Sequence, residues 1–448
     1  MSTMGHVHGS WPALLLALLF GLAAVLLSAC DVPTSLPTPA PGIPTDTPES
    51  QPAPTAIPAS GPDATPSTPA VIPLTIWTTE AFSPTLAITS SQILAEQAAI
   101  FEKTHPDLKV EFVLKKSHGK GGMLDYLLTT DTVVPALLPD LAFVDVDELE
   151  TAVQAGVAQP LDTLISSDLL TDLYPFARQA GTFDGQVYGL QFQADLDHLV
   201  YDTGKLAIPP RSWPGVLSNP GSYLFPAGGE AGLVNDDFLV QYLAVRPWPP
   251  EEDPNEPFLA EDSLAAALQY YKDGVSRGIF PRAILTYHTT DDSWNDYLLG
   301  KASLAHVSAH RYLTERSQVT NSAVAPIPAM NGAGSPIGRG WALTLVTSDP
   351  ARQQLAVEFM TQLMSPQINA AWNKAAGYLP TRQAALANWD EEDSYTRFAR
   401  QQLQMAQARP RVPNYTQVAA ALQEAVVAVI SGGTTPETAA AQAIEKVR

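Results

Sequence analysis

The 448-residue chain has a single cysteine, Cys30, so neither an internal disulfide nor a multi-thiolate zinc site can form within it. Positive charge is scarce: 25 Lys and Arg stand against 46 Asp and Glu, a formal net charge of −21. Without a basic surface to release counterions from phosphate, a nucleic-acid partner is not expected. No internal repeat is visible. Ser117 to Gly122 (SHGKGG) is glycine-rich but lacks the G-x4-G-K-[ST] spacing of a phosphate loop, and reads as a flexible surface loop. His306 and His310 lie four apart with no third ligand near in sequence, so no metal site and no cofactor are expected. What is present is a hydrophobic content of 45%, enough for a large core, and a length that allows two to three domains.

Trp11 to Leu27 is an uninterrupted apolar run, a little short for a spanning helix and of the kind found in a secretory signal. Leu27-Ser28-Ala29-Cys30 follows at once and resembles a bacterial lipobox, in which the cysteine receives lipid and becomes the mature N-terminus. The preceding MSTMGHVHGS departs from the pattern in having no Lys or Arg. Residues 1–30 are therefore expected to be a lipoprotein signal, with Cys30 the lipidation site. In residues 31–73, 13 of 43 positions are proline and seven threonine, with no aromatic or basic side chain. Such a stretch buries too little apolar surface to offset ordering entropy and is expected to be a disordered tether.

The folded body is expected from Leu74 onward. Leu74 to Trp77 (LTIW) suits a buried strand. A helix near Ser90 to Lys103 has Thr89 and Gln92 at capping-box spacing, and His105-Pro106 stops it. Lys109 to Leu114 and Pro139 to Asp145 read as further strands, and this alternation argues an α/β fold with a largely parallel sheet. Asp349-Pro350 and Thr435-Pro436 each place a cap residue before proline at the first helical position. Leu355, Phe359 and Leu363 space one core-facing stripe. Val418, Leu422, Val426 and Ile430 space another, closed by Gly432-Gly433.

Several segments stand in a familiar order. EQAAIFEKTHPDLKVEF follows the first strand, then PDLAFVDVDELETAVQAGVAQPLDTL, TFDGQVYGLQFQADLDHLVYDTGKL, Ser212-Trp213, LLGKASLAHV, SPIGRGWALTLVTSDP and AAGYLPTR. On these segments the body resembles family 1 of the extracellular solute-binding proteins, the maltose-binding-like group. Three departures stand out: Val134-Pro135-Ala136 where a glycine is usual, Gln191 in place of the proline of "YglP", and Ala309-His310-Arg311-Tyr312 in place of a "g.w" motif.

The resemblance implies an α/β, two-lobed periplasmic-binding-protein-like fold of type II, with the ligand cleft between lobes that close by hinge bending. Crossings are expected near Gln193 to Asp195, near Val307 to Ala309, and just after Trp341. One lobe would comprise residues 74–193 with 309–343, the other 194–308 with 344–448. The implied function is that of an extracytoplasmic, lipid-anchored, non-enzymatic monomer that delivers a small solute to an ABC permease. A carbohydrate is the first reading. A polyamine, a metal or a phosphorylated compound on the same fold are alternatives, as is a lipoprotein glycoside hydrolase, which needs two carboxylates across a sugar site.

Sugars are held by aromatic faces and by carboxylates that accept hydroxyl protons. By the resemblance, Thr78, Thr79 and Glu80 past the first strand, Asp145 past the third, and Asp195 at the first crossing are candidate contacts. His310 and Tyr312 stand where the group often places a stacking aromatic, and Tyr378 is a similar late contact. Trp341, flanked by glycine, is the candidate stacking ring. Arg339 beside it would meet a hydroxyl, carboxylate or phosphate, or lie on the surface. Asp147 is read as a helix cap, and Trp213 and Trp294 as helix packing.

Overall fold

The computed structural model describes residues 71–219, 221–249 and 256–448. The apolar run, Cys30 and the tether up to residue 70 lie outside the described residues. The first strand, Ile72–Thr78, starts two positions earlier than its apolar run suggests.

Two sheets organise the body. The first has five strands, in the order Leu108–Leu114, Ile72–Thr78, Leu141–Asp145, Trp341–Leu345, Gly189–Gln191. The early strands pair in parallel, and Trp341–Leu345 returns antiparallel to both its neighbours. Its faces are covered by two apolar layers. In one, Phe82 stacks on Phe143 and on Trp372; the other gathers Trp77, Met123, Leu127 and Val144. Burial of both faces is what a mainly parallel sheet requires. The second sheet runs Ser322–Ala325, Asp197–Asp202, Leu304–Ser308, Tyr223–Leu224, with Asp197–Asp202 antiparallel to the strands on either side.

Most local signals hold. The helices Pro350–Leu363 and Pro436–Val447 start at their prolines, capped by the Asp349 and Thr435 side chains. Val418, Leu422, Val426 and Ile430 are all buried. The capping box at Thr89 does not form: helix Thr89–Thr104 begins one residue early, with Ile88 at its N-cap and no side-chain cap.

The lobe assignment needs correction. Helix Ala309–Glu315 and strand Ser322–Ala325 stay with the second sheet, so residues 309–340 do not return to the first lobe. Helices Pro350–Leu363 and Pro366–Ala376 bury Phe359, Met360, Leu363 and Trp372 against the first sheet, not the second. The reason is connectivity, because the return strand Trp341–Leu345 feeds straight into the helices that cover its own sheet. The chain therefore crosses at 192–196, at 338–340 and at 377–381, and neither near Val307 to Ala309 nor just after Trp341, from which it stays with the first sheet.

These three passages lie side by side. Gln193–Ala194 pairs antiparallel with Leu379–Pro380. Asp195 and Arg339 exchange backbone hydrogen bonds of 3.0 and 2.9 Å. The Gln191 side chain, standing where the resembled group has proline, donates to the Arg339 and Gln193 carbonyls at 3.1 and 3.2 Å. An amide there ties two passages together.

Candidate functional site

Beside this hinge lies a cavity of about 720 Å3. Val146, Asp147, Glu150 and Ala180 line it from the first lobe. Residues 230–237 and 288–291 line it from the second, with Asp195, Asp197, Gly338 and Arg339 at the hinge and residues 408–412 with Tyr415 along one wall. Eight carboxylates and three arginines face it, and Tyr415 is its one aromatic ring apart from His288 and His310.

The inner acids are already paired. Arg339 grips Asp197 bidentately at 2.6 and 2.8 Å, and reaches Asp236 at 3.1 Å and Asp195 at 3.5 Å. Burial pulls its guanidinium down, but Asp197 and its neighbours outweigh this and hold it well above the ordinary arginine value. Burial pushes Asp197 up, yet Arg339 dominates and the carboxyl sits below the usual range. Burial leaves Asp195 above it. Asp195 Oδ1 accepts from the Leu196 and His310 amides, both at 3.0 Å, so this oxygen is committed to the hinge backbone. From the wall inward, Asp237 joins His306, which in turn joins the Tyr223 hydroxyl. All three are buried, so His306 belongs to a buried polar chain and not to a pair with His310. At the mouth, Glu230 and Asp291 are exposed.

Of the residues singled out from sequence, Asp195, His310 and Arg339 line this cavity. The others do not. Tyr378 stacks on His310 at 4.2 Å, one layer back. Tyr312 is a correction: it is buried against His198 and Tyr395 in the second-lobe core. Thr78 and Thr79 are also buried, because the chain turns inward after the first strand and the Thr78 hydroxyl donates to the Phe82 carbonyl at 3.0 Å. Glu80, which opens that turn, is exposed.

Trp341 and Asp145 do meet, opposite each other in register on the first sheet. Trp341 is half-buried, and the His118 ring covers it at 5.1 Å. The loop read as merely flexible thus delivers an imidazole, 3.8 Å from Asp145 and 3.4 Å from Glu148. Burial, with Asp147 nearby, pushes Asp145 up to about 7. The hydrogen bond to Glu148 raises His118 despite its partial burial. Both groups favour protons, so the stability they confer is full in acid and is lost as pH rises toward and through neutrality.

The sequence reading missed Arg409, Arg411, Asp236 and Glu230. Arg409 and Arg411 alternate in a segment interrupted by Pro410 and Pro413, a pattern that marks an extended strap presenting both side chains. Asp147, read as a cap, is instead an ion-pair partner of Arg409 at 2.9 Å. Among the described residues no group of three or more His, Cys, Asp or Glu is arranged to hold a metal ion.

Residues 96–399 match a family described as bacterial extracellular solute-binding protein. A 95-residue stretch is 28% identical to the maltotriose-binding protein of Pyrococcus abyssi (strain GE5 / Orsay), and the match spans about a fifth of that relative, 21% of each chain. Among solved structures, the Thermus thermophilus maltotriose-binding protein bound with maltotriose is similar with a TM-score of 0.62 at 19% identity, covering 84% of this chain and 98% of that one. The cyclic alpha-maltosyl-1,6-maltose binding protein of Arthrobacter globiformis is similar with a TM-score of 0.67 at 19% identity, covering 84% and 98%. These likenesses establish the two-lobed α/β fold.

Proposed function

The chain belongs to the bacterial extracellular solute-binding proteins, and from that premise we propose that it is a carbohydrate receptor of an ABC importer. It acts outside the cytoplasm, captures its solute between the lobes without chemical change and passes it to a membrane permease. The observation that supports this most is the cavity itself, walled by both lobes beside three adjacent hinge passages. Carboxylates at its mouth, Glu230 and Asp291, suit hydroxyl donors, as does the His310 ring. The names of the similar proteins point to maltodextrins. An excess of five carboxylates over arginines and a single Tyr415 platform favour, as a second reading, a solute bearing amines. A phosphorylated solute fits poorly, since Arg339 already serves three carboxylates.

Calorimetric titration with maltotriose, spermidine and glucose 6-phosphate separates these. Maltotriose is expected to bind, and at about 100 times Kd to add about 2.7 kcal/mol of stability, while glucose 6-phosphate gives no heat. Binding of spermidine alone would replace the first reading with the second. Heat from none of the three would remove the carbohydrate reading.

Anchoring belongs to the same proposal: Cys30 takes the lipid, and residues 31–73 hold the body off the membrane. Cys30→Ser is expected to shift the protein from the membrane to the soluble fraction on fractionation, with its melting temperature unchanged. Equal membrane retention of both forms would rule the lipid out.

A further inference from the structure

The strap at residues 406–412 does something the three covalent crossings do not. It leaves helix Ser394–Met405 and enters helix Tyr415–Ile430, both packed in the second-lobe core. Pro410 and Pro413 deny it helical hydrogen bonding. It runs along the hinge, where the Gln407 amide donates to the Pro336 carbonyl at 3.0 Å and Gly338 donates back to Gln407 at 2.9 Å. From this second-lobe segment two arginines reach across to the first lobe. Arg411 donates to the carbonyls of Ala180 and Thr182, each at 2.6 Å, and its guanidinium lies 3.8 Å over the Phe183 ring. Arg409 donates through Nε to Asp147 of the first lobe at 2.9 Å and meets Asp236 of the second lobe at 2.5 and 3.1 Å. Asp147 stands just beyond a first-sheet strand, and Asp236 opens the second-lobe helix Asp236–Val245.

One guanidinium therefore has a carboxylate from each lobe, and its half toward Asp147 exists only while the lobes are together. We propose that Arg409, seconded by Arg411, is an interlobe clasp that sets the closure equilibrium of the cleft. Asp147 is 40% exposed and Arg409 20%, so salt screens the first-lobe half of the clasp. The Asp236 half is buried and stays fastened.

The proposal rests on the reading of the cleft as one that opens and closes. It is tested by double electron–electron resonance on the full-length Cys30→Ser chain, with spin labels at Leu137→Cys in the first lobe and Leu299→Cys in the second, both well exposed. Arg409→Gln and Asp147→Asn are each expected to lengthen the distance, raising the open-to-closed ratio about tenfold, the effect of losing one charge-assisted bond. The double variant is expected to go no further than either single one. Sodium chloride at 1 M is expected to lengthen the parent distance and to leave Arg409→Gln unmoved. Asp147→Asn, on the surface, keeps the test open if Arg409→Gln fails to fold. If maltotriose shortens the distance while neither substitution nor salt changes it, the clasp is refuted and the closing cleft stands. If substitutions, salt and maltotriose all leave it unchanged, the clasp and the closing cleft fall together.

Discussion

Arg339→Met is expected to lower the unfolding free energy by about 3–5 kcal/mol, the cost of leaving buried charge without its partner. The side chain stands among Asp195, Asp197 and Asp236, the last two each only 7% exposed. Methionine fills much of the space but offers no donor, so three carboxylates would face one another at the hinge. Restoring balance by a second change, Asp197→Asn, is expected to recover more than about 1 kcal/mol, because the bidentate partner is then neutral. The pH dependence follows the sign of the Asp197 shift. Arg339 depresses that carboxyl, so its stabilisation is present above the ordinary value of 3.8 and is lost as pH falls through the lower folded value. Burial raises Asp195, which acts in the opposite sense; the bidentate contact that Arg339→Met removes is the one to Asp197. Urea titrations of parent and variant should therefore converge in strong acid. A loss below about 1 kcal/mol at pH 7 would mean that water, not Arg339, solvates these acids.

Gly340→Ala is expected to cost about 2–4 kcal/mol and to disturb the hinge, since a strained backbone position and a steric clash coincide. Gly340 has φ of +154°, and an added Cβ would stand 2.1 Å from the Gln193 carbonyl oxygen and 2.8 Å from the Gln191 amide nitrogen. The carbonyl is backbone of the neighbouring passage and cannot rotate away, and the Gln191 amide is the group that ties the passages together. Gly332→Ala is the control, with nothing within 4 Å of the new methyl, and should change stability by less than about 0.5 kcal/mol. Differential scanning calorimetry of the two variants decides the matter. Equal melting temperatures would show that the hinge yields easily at Gly340.

Legibility from sequence differed sharply between fold and site. Strand alternation at Lys109 to Leu114, the Asp349-Pro350 and Thr435-Pro436 caps and the Val418 to Ile430 stripe are local patterns, and each appears where its residues placed it. The order of segments also located the first crossing, where Gln193–Ala194 lies. It misplaced the other two: nothing local in LAHVSAH tells a strand that leaves its lobe from one that turns into a helix of the same lobe, and nothing local after Trp341 shows that its strand feeds the helices of its own sheet. Asp195 and Arg339 reach the cavity because they sit at chain crossings, and His310 because its helix packs beside them, its amide 3.0 Å from Asp195 Oδ1. Arg409 was not legible, being 262 positions from Asp147.

What could be read along the chain alone is an acidic, cysteine-poor α/β body, with motifs whose order resembles that of a two-lobed binding family. These properties depend on composition and on neighbours along the chain. Contacts through space settle which lobe holds residues 309–376, which acids face the cavity, and that Arg339 and Arg409 pair with those acids. Ion pairing and burial depend on distance through space, and a guanidinium meets whichever carboxylate the fold delivers within about 4 Å. For Arg339 the fold delivers three.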